Sequence, residues 1–150
     1  MKKILTLLSV VMLFAGCGGK SSATGEVISL DKICSYEKWK TVAVEGYLAP
    51  QTMACEKVGR KKTSSVTWCD FRVYAKQDLT GASITVRIPT TNMLNGKNNS
   101  MENPPSRMED LRIYDNDANP IPFGSKIRVY GELPKSDVCE FGLAKRIDRV

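Results

Sequence analysis

The chain has 150 residues, 22 basic and 16 acidic side chains, five cysteines and no histidine, and 42% of its residues are hydrophobic. This length and composition fit one folded domain and argue against a disordered chain. Because histidine is absent, a Ser-His-Asp or Cys-His catalytic system and a zinc site that uses imidazole are both excluded.

The N-terminus has the organisation of a secretory signal. Lys2 and Lys3 precede an apolar run over residues 4–14, which is shorter than the roughly 20 residues that a transmembrane helix needs. We therefore predict a signal peptide over residues 1–16. Its removal takes away two lysines and no acid, which lowers the formal net charge from +6 to +4.

Cys17 follows directly on Ala15 and Gly16. This arrangement resembles the bacterial lipoprotein box, in which the signal peptidase cuts before a cysteine that carries diacylglycerol; Phe14 departs from the usual leucine. The resemblance implies a lipidated Cys17 and a membrane anchor, and Gly18 at the next position favours the outer membrane, facing the periplasm. The alternative is an ordinary signal peptide with an incidental cysteine.

The mature chain keeps four further cysteines, an even number that in an exported domain indicates two disulfides with three possible pairings. They are Cys34, Cys55, Cys69 and Cys139. Ligation of a metal by four thiolates is the alternative, but the chain has no C-x-x-C pair. We expect no cofactor and no metal.

Small and polar residues after Cys17 predict a flexible tether over residues 17–28, followed by one domain over 29–150. The domain begins with a predicted short helix from Ser29, as its N-cap, to Lys40. From Thr41 the hydrophobic period changes to two, which predicts strands. The predicted strands are 41–48, 66–75, 82–89, 126–133 and about 140–149, with a shorter extended piece at 111–114.

Alternation also predicts the buried face of each strand. The residues predicted to point inward are Val42, Val44, Leu48, Cys69, Phe71, Val73, Ala75, Ile84, Val86, Ile88, Ile127, Val129 and Leu133. Gly131 is predicted to allow a close approach or a bulge. The stretch 90–109 is predicted to be irregular, and residues 115–120 to form a turn.

The segments Val44-Glu45-Gly46-Tyr47-Leu48 and Val129-Tyr130-Gly131-Glu132-Leu133 echo each other. With the hairpin between the second and third strands and the long third connection, this pattern resembles the OB-fold domains of bacterial envelope lipoproteins. The resemblance implies an all-β fold, with the short N-terminal helix added: a five-stranded, OB-fold-like Greek-key barrel. Another small β-barrel is the alternative.

The resemblance also implies a disulfide pairing, because the first and fourth strands of an OB barrel are antiparallel neighbours. Cys34 precedes the first strand and Cys139 follows the fourth, so this pair is within reach. Cys55 leaves the first strand and Cys69 lies early in the second. The implied disulfides are therefore Cys34–Cys139 and Cys55–Cys69.

The second and third strands direct Trp68, Arg72, Tyr74 and Arg87 to one face, which in OB-folds is the usual binding surface. Aromatic rings there stack on bases or sugars, and arginines pair with phosphates or carboxylates. The alternative is an ordinary solvent-exposed face with aromatics that favour strands. The basic run of Arg60, Lys61 and Lys62 is favoured as a solvated loop. The alternative is a loop that attracts nucleic acid, anionic lipid headgroups or an acidic partner.

Two acidic patterns are also present. Asp115-x-Asp117-x-Asn119 has the spacing of the first calcium-loop ligands. A turn held by hydrogen bonds to aspartate side chains is the simpler interpretation and is favoured. Asp70 with Arg72, or Glu45 with Glu132, form candidate acid–base pairs, for which surface ion pairing is the favoured interpretation.

These features predict an envelope lipoprotein whose domain is a non-enzymatic binding module for a protein, peptide or glycan. The first alternative is a metal-dependent, nuclease-like hydrolase on an OB scaffold, with Asp70 as its candidate carboxylate. The second is nucleic-acid binding, which the location outside the cytoplasm and the modest net charge argue against.

Overall fold

The structure, a computed structural model, describes residues 20–37, 39–58, 66–91, 96–102, 111–133 and 140–150. Several sequence predictions lie outside the described residues. They are the signal peptide over 1–16, the lipidated Cys17, the basic loop of Arg60, Lys61 and Lys62, and Cys139. The described residues form no helix with the length and hydrophobicity that a membrane span requires.

The fold is all-β, as predicted. The strands are β1 (Glu26–Ile28), β2 (Thr41–Val58), β3 (Val66–Tyr74), β4 (Ser83–Pro89), β5 (Ile113–Tyr114), β6 (Pro120–Ile121), β7 (Lys126–Glu132), β8 (Glu140–Phe141) and β9 (Ala144–Arg149). The predicted strands match β2, β3, β4 and β7 closely at their starts. The observed β2 continues ten residues beyond the predicted end at Leu48, with a shift of register between Ala49 and Ala54.

The helix predicted from Ser29 to Lys40 is reduced to one 3-10 turn, Ile33–Ser35. The Ser29 hydroxyl does not cap a helix but donates to the carboxylate of Asp31. β1 and β2 are parallel neighbours, so the chain must return from the end of β1 to the start of β2 within this stretch. Trp39 adopts a left-handed φ of 67°, which a continuing right-handed helix does not allow.

The main sheet follows the order β8-β4-β3-β2-β7-β9, and β1 pairs with β2 beside this path. β2 and β7 are antiparallel, with Thr41 opposite Glu132 and Tyr47 opposite Lys126. β2 and β7 are the first and fourth of the predicted main strands, so these two strands are antiparallel neighbours, as the OB-fold resemblance implied.

The hydrogen-bonded path through the described residues does not close into the predicted barrel. Its two ends, β8 and β9, are consecutive in the chain with Gly142 and Leu143 between them. β8 is parallel to β4, whereas β9 is antiparallel to β7, so one chain segment pairs with both strands. The path stays open because this segment leaves β4 at Gly142 and continues along β7.

Met101 pairs with the chain directly after β4, and Asn99 contacts β9. The amide of Met101 donates to the carbonyl of Pro89 at 2.9 Å, and Thr90 and Met101 form a parallel bridge. The side-chain oxygen of Asn99 accepts the backbone N–H of Ile147, in β9, at 2.7 Å. The stretch predicted to be irregular therefore links β4 to β9.

The core is formed by the inward residues that alternation predicted. Twelve of the thirteen are buried: Val42, Val44, Leu48, Cys69, Phe71, Val73, Ile84, Val86, Ile88, Ile127, Val129 and Leu133. Ala75 is the exception; it follows the last residue of β3 and is exposed. Burial of these side chains is the main source of the free energy of folding.

A disulfide joins Cys55 of β2 to Cys69 of β3, with Cα atoms 4.1 Å apart. The two residues are directly opposite each other in the antiparallel pair. The link is the second of the two disulfides implied above. Cys34 is also disulfide-bonded, and its predicted partner, Cys139, lies outside the described residues.

Candidate functional site

The outer face of β3 carries Trp68, Asp70, Arg72 and Tyr74, which alternate with the buried Cys69, Phe71 and Val73. Their opposite residues in β4 are, in the same order, Pro89, Arg87, Thr85 and Ser83. Directly opposite residues of an antiparallel pair point to the same face. The four predicted residues, Trp68, Arg72, Tyr74 and Arg87, therefore share one surface, which we call the β3–β4 face.

Arg87 is held by Asp70. Its Nε and Nη2 donate to the two carboxylate oxygens of Asp70 at 2.9 and 3.0 Å, a two-bond geometry that fixes the guanidinium plane. The sequence analysis paired Asp70 with Arg72, and that partner is wrong. Residues opposite each other across two strands are closer than residues two apart along one strand, so Arg87 is the nearer cation.

Arg72 is the exposed cation of the β3–β4 face. Its neighbours across the strands are Thr85 in β4 and Ala49 in β2, and neither can neutralise a guanidinium. Within the described residues, Arg72 makes no ion pair or side-chain hydrogen bond. Its donors are therefore available to a carboxylate or phosphate of a ligand.

The aromatic side chains of this face are Trp68 and Tyr74, both partly buried. Tyr74 lies opposite Tyr47 of β2, and Tyr47 lies opposite Lys126 of β7. The sequence analysis did not include Tyr47 in the site. Its outward direction follows from the same alternation that buries Leu48, but its pairing with Tyr74 depends on the register.

A second charged group lies on the outer side of β2 and β7. The carboxylate of Glu45 accepts hydrogen bonds from Arg128, with Nε at 2.9 Å, and its other oxygen is 2.9 Å from Nζ of Lys126. Arg128 first, and Lys126 next, hold the pKa of Glu45 below its ordinary value. The predicted pair of Glu45 with Glu132 is wrong, because Glu132 lies opposite Thr41 and bonds to Lys145 at 2.8 Å.

This lowered pKa predicts a pH-dependent contribution to stability. The ionised Glu45 stabilises the folded state above its ordinary pKa of 4.5, and this contribution is lost as the pH falls through the lowered folded value. Glu45→Gln should therefore lower the free energy of unfolding by about 1 kcal/mol at pH 7 and by much less near pH 2. Urea unfolding across this pH range measures the difference.

Glu132→Gln is the matched control, because it removes a more exposed carboxylate from the same strand pair. Its effect at pH 7 should stay below about 0.5 kcal/mol. A Glu45→Gln effect that is equal at both pH values would contradict the assignment of this stabilisation to charge.

A polar cleft of about 500 Å³ lies between the 115–119 turn and the end of β9. We call it the polar cleft; its lining includes Asp115, Asp117, Asn119, Arg128, Arg146 and Arg149. The Asp115 carboxylate accepts the backbone N–H groups of Asp117 and Asn119, each at 2.9 Å. The D-x-D-x-N pattern is therefore a turn held by an aspartate side chain, as favoured above.

The described residues contain no group of three or more cysteine, aspartate or glutamate side chains placed to hold a metal ion. Comparison with known proteins finds no matching family model, no matching curated protein and no matching solved structure.

Proposed function

We propose that this chain is a lipid-anchored protein of the bacterial cell envelope whose OB-fold-like domain is a non-enzymatic binding module. The lipid is carried by Cys17, and the anchor holds the domain at the outer membrane, facing the periplasm. The partner is a protein, with a peptide or glycan as the related alternatives. It binds to the β3–β4 face through Trp68, Arg72 and Tyr74, and Arg87 forms the border of the surface.

One observation carries the proposal: among the residues that the structure describes, exposed Arg72 has no carboxylate partner, while Arg87, Arg128 and Arg146 of the outer surface are paired. Arg87 is bound by Asp70, Arg128 by Glu45, and Arg146 by Asp148 at 2.9 Å. An arginine beside aromatic side chains is typical of binding hot spots. A carboxylate of the partner is the group that Arg72 fits best.

The strand pairing supports the OB-like assignment. β2 pairs with both β3 and β7, and the segment 140–149 pairs with both β4 and β7. In such folds, the ligand binds across the outer face of the central strands. The Cys55–Cys69 disulfide and the separate disulfide of Cys34 fit an oxidising compartment such as the periplasm.

The test uses a photo-crosslinking amino acid at Thr85, which lies opposite Arg72 and leaves Arg72 intact. Irradiation of intact cells should give a discrete protein adduct from Thr85 and none from the control position Lys145. Arg72→Glu in the same protein should reduce the adduct about tenfold, a loss expected for a central interface charge.

Lys32→Glu is the matched control, because it makes the same change of charge at an exposed lysine in the connection between β1 and β2. It should leave the adduct unchanged. The proposal would be overturned by an adduct that is insensitive to Arg72→Glu, by equal adducts from Thr85 and Lys145, or by no adduct from Thr85 in a correctly anchored and oxidised protein.

A further inference from the structure

The described start of the chain is attached to the domain instead of extending from it. The backbone N–H of Ser21 donates to Oδ1 of Asn116 at 2.7 Å, and Nδ2 of Asn116 donates back to the Ser21 carbonyl at 3.1 Å. Lys20 pairs with Asp117 at 2.6 Å, and β1 then pairs with β2. Residues 20–28, which we predicted as part of a tether, therefore contact the folded domain at both ends.

This attachment sets a short distance between the domain and Cys17. Lys20 follows Cys17 by three positions, with Gly18 and Gly19 between them. A fully extended chain spans at most about 3.6 Å per residue, so the two Cα atoms are within about 11 Å of each other. A lipid on Cys17 would bring Lys20, Asp117 and the adjacent turn to the surface of the bilayer.

The surface next to Lys20 is the polar cleft, whose lining sets three arginines beside three aspartates, Asp148 among them. A surface of both charges matches phospholipid headgroups that carry a phosphate and an ammonium group. Arg149 is half exposed and directs its Nε toward Asp115 at 3.3 Å. Within the described residues the guanidinium is in no other ion pair or side-chain hydrogen bond, and its five donors exceed what one aspartate can accept, so it can also donate to a headgroup phosphate. Asp117 and Lys20 are also largely exposed, which adds a carboxylate and an ammonium group at the same border.

We propose that the domain lies directly on the bilayer with the polar cleft facing the headgroups, held there by the residue 20–21 attachment. This inference rests on the lipidation of Cys17 in the proposed function. The flexible tether predicted from the sequence would let the domain take any orientation, whereas the attachment gives it a fixed orientation relative to the bilayer. The occupant of the cleft surface is the headgroup layer of the membrane that carries the anchor.

The turn between β3 and β4 provides a position far from the bilayer for comparison. β4 extends over Ser83–Pro89, about 20 Å at 3.3 Å per residue. Its far end bridges to Met101, and nearby Asn99 donates to Asn116 at 2.7 Å. Gln77 is exposed in the turn that precedes the first residue of β4, Ser83. It therefore lies at the opposite end of β4 from Asn116 and Lys20.

The experiment uses the full lipidated chain in vesicles whose headgroups carry a nitroxide quencher. A fluorescent amino acid is placed either at Asn119, beside the polar cleft, or at Gln77. We expect severalfold stronger quenching at Asn119 than at Gln77. A fifteen-residue Gly/Ser insertion between Gly19 and Lys20, which spans about 22 Å, should remove most of this difference.

Three results would overturn the orientation: equal quenching at the two positions, stronger quenching at Gln77, or a difference that persists after the insertion. Flotation of the vesicles separates this failure from that of the lipid anchor. A chain that does not float with the vesicles lacks the anchor, whereas a chain that floats with equal quenching has the anchor without the orientation.

Discussion

Replacing Gly131 by alanine should lower the free energy of unfolding by about 2 to 3 kcal/mol. A Cβ atom at Gly131 would lie 2.5 Å from Cγ of Phe141 and 2.8 Å from its Cδ2, far inside van der Waals contact. Phe141 is only 1% exposed and belongs to β8, which pairs with β4. The ring therefore cannot move aside without disturbing the pairing of β8.

Gly142→Ala is the matched control for this substitution. No heavy atom lies within 4 Å of a Cβ built on Gly142, so its replacement should change stability by less than about 0.5 kcal/mol. Urea unfolding of both variants measures the comparison, and Phe141→Leu should partly restore the Gly131→Ala variant. Equal losses from the two glycine variants would show that the Phe141 contact is not what requires glycine at position 131.

The strands and their buried faces were predictable because their signal is local. Val42 and Val44, or Phe71 and Val73, alternate with polar residues, and this period alone determines which side packs in the core. The same signal placed Trp68, Arg72 and Tyr74 on one face. Alternation does not determine register, however, since a shift by two residues preserves the face and changes every partner.

Sequence analysis therefore missed the ion-pair partners of the charged residues on neighbouring strands. Asp70 pairs with Arg87 and not with Arg72, and Glu45 pairs with Arg128 and not with Glu132. Each pairing depends on which residue of the neighbouring strand lies directly opposite. The open sheet was missed for a related reason: a closed barrel was predicted, because no local signal shows that the chain leaves β4 at Gly142.

The role of the asparagines was also hidden in the sequence. Asn99 and Asn116 lie in stretches predicted to be irregular or a turn, and both are buried, at 8% and 7% exposure. Polar residues in such stretches usually indicate solvent exposure. Here they form hydrogen bonds between segments far apart in the chain, from Ser21 through Asn116 and Asn99 to Ile147.

These contacts give the two proposals a common structural basis. The side-chain amides of Asn116 and Asn99 connect the start of the chain to β9, and residues 98–101 connect β9 to β4. The surface that would face the bilayer and the β3–β4 face are thus parts of one hydrogen-bonded framework. A domain with a fixed orientation would present Arg72 in a constant direction relative to the membrane.

Asn116→Ala should lower the free energy of unfolding by about 3 kcal/mol, because it leaves several buried polar groups without partners. Oδ1 of Asn116 accepts both Nδ2 of Asn99 and the N–H of Ser21, each at 2.7 Å. Its Nδ2 also donates to the Ser21 carbonyl. Alanine removes all three hydrogen bonds, and the loss of the last two also frees Ser21 from the domain.

Asn119→Ala is the control, since Asn119 is exposed and uses its backbone, not its side chain, in the contacts with Asp115. It should cost less than about 0.5 kcal/mol. Hydrogen exchange should separate local from global effects: in Asn116→Ala the amide of Ser21 should lose its protection even under conditions in which the core amides of Phe71 and Val129 remain protected. If Ser21 stays protected in that variant, the side chain of Asn116 is not what holds the start of the chain against the domain.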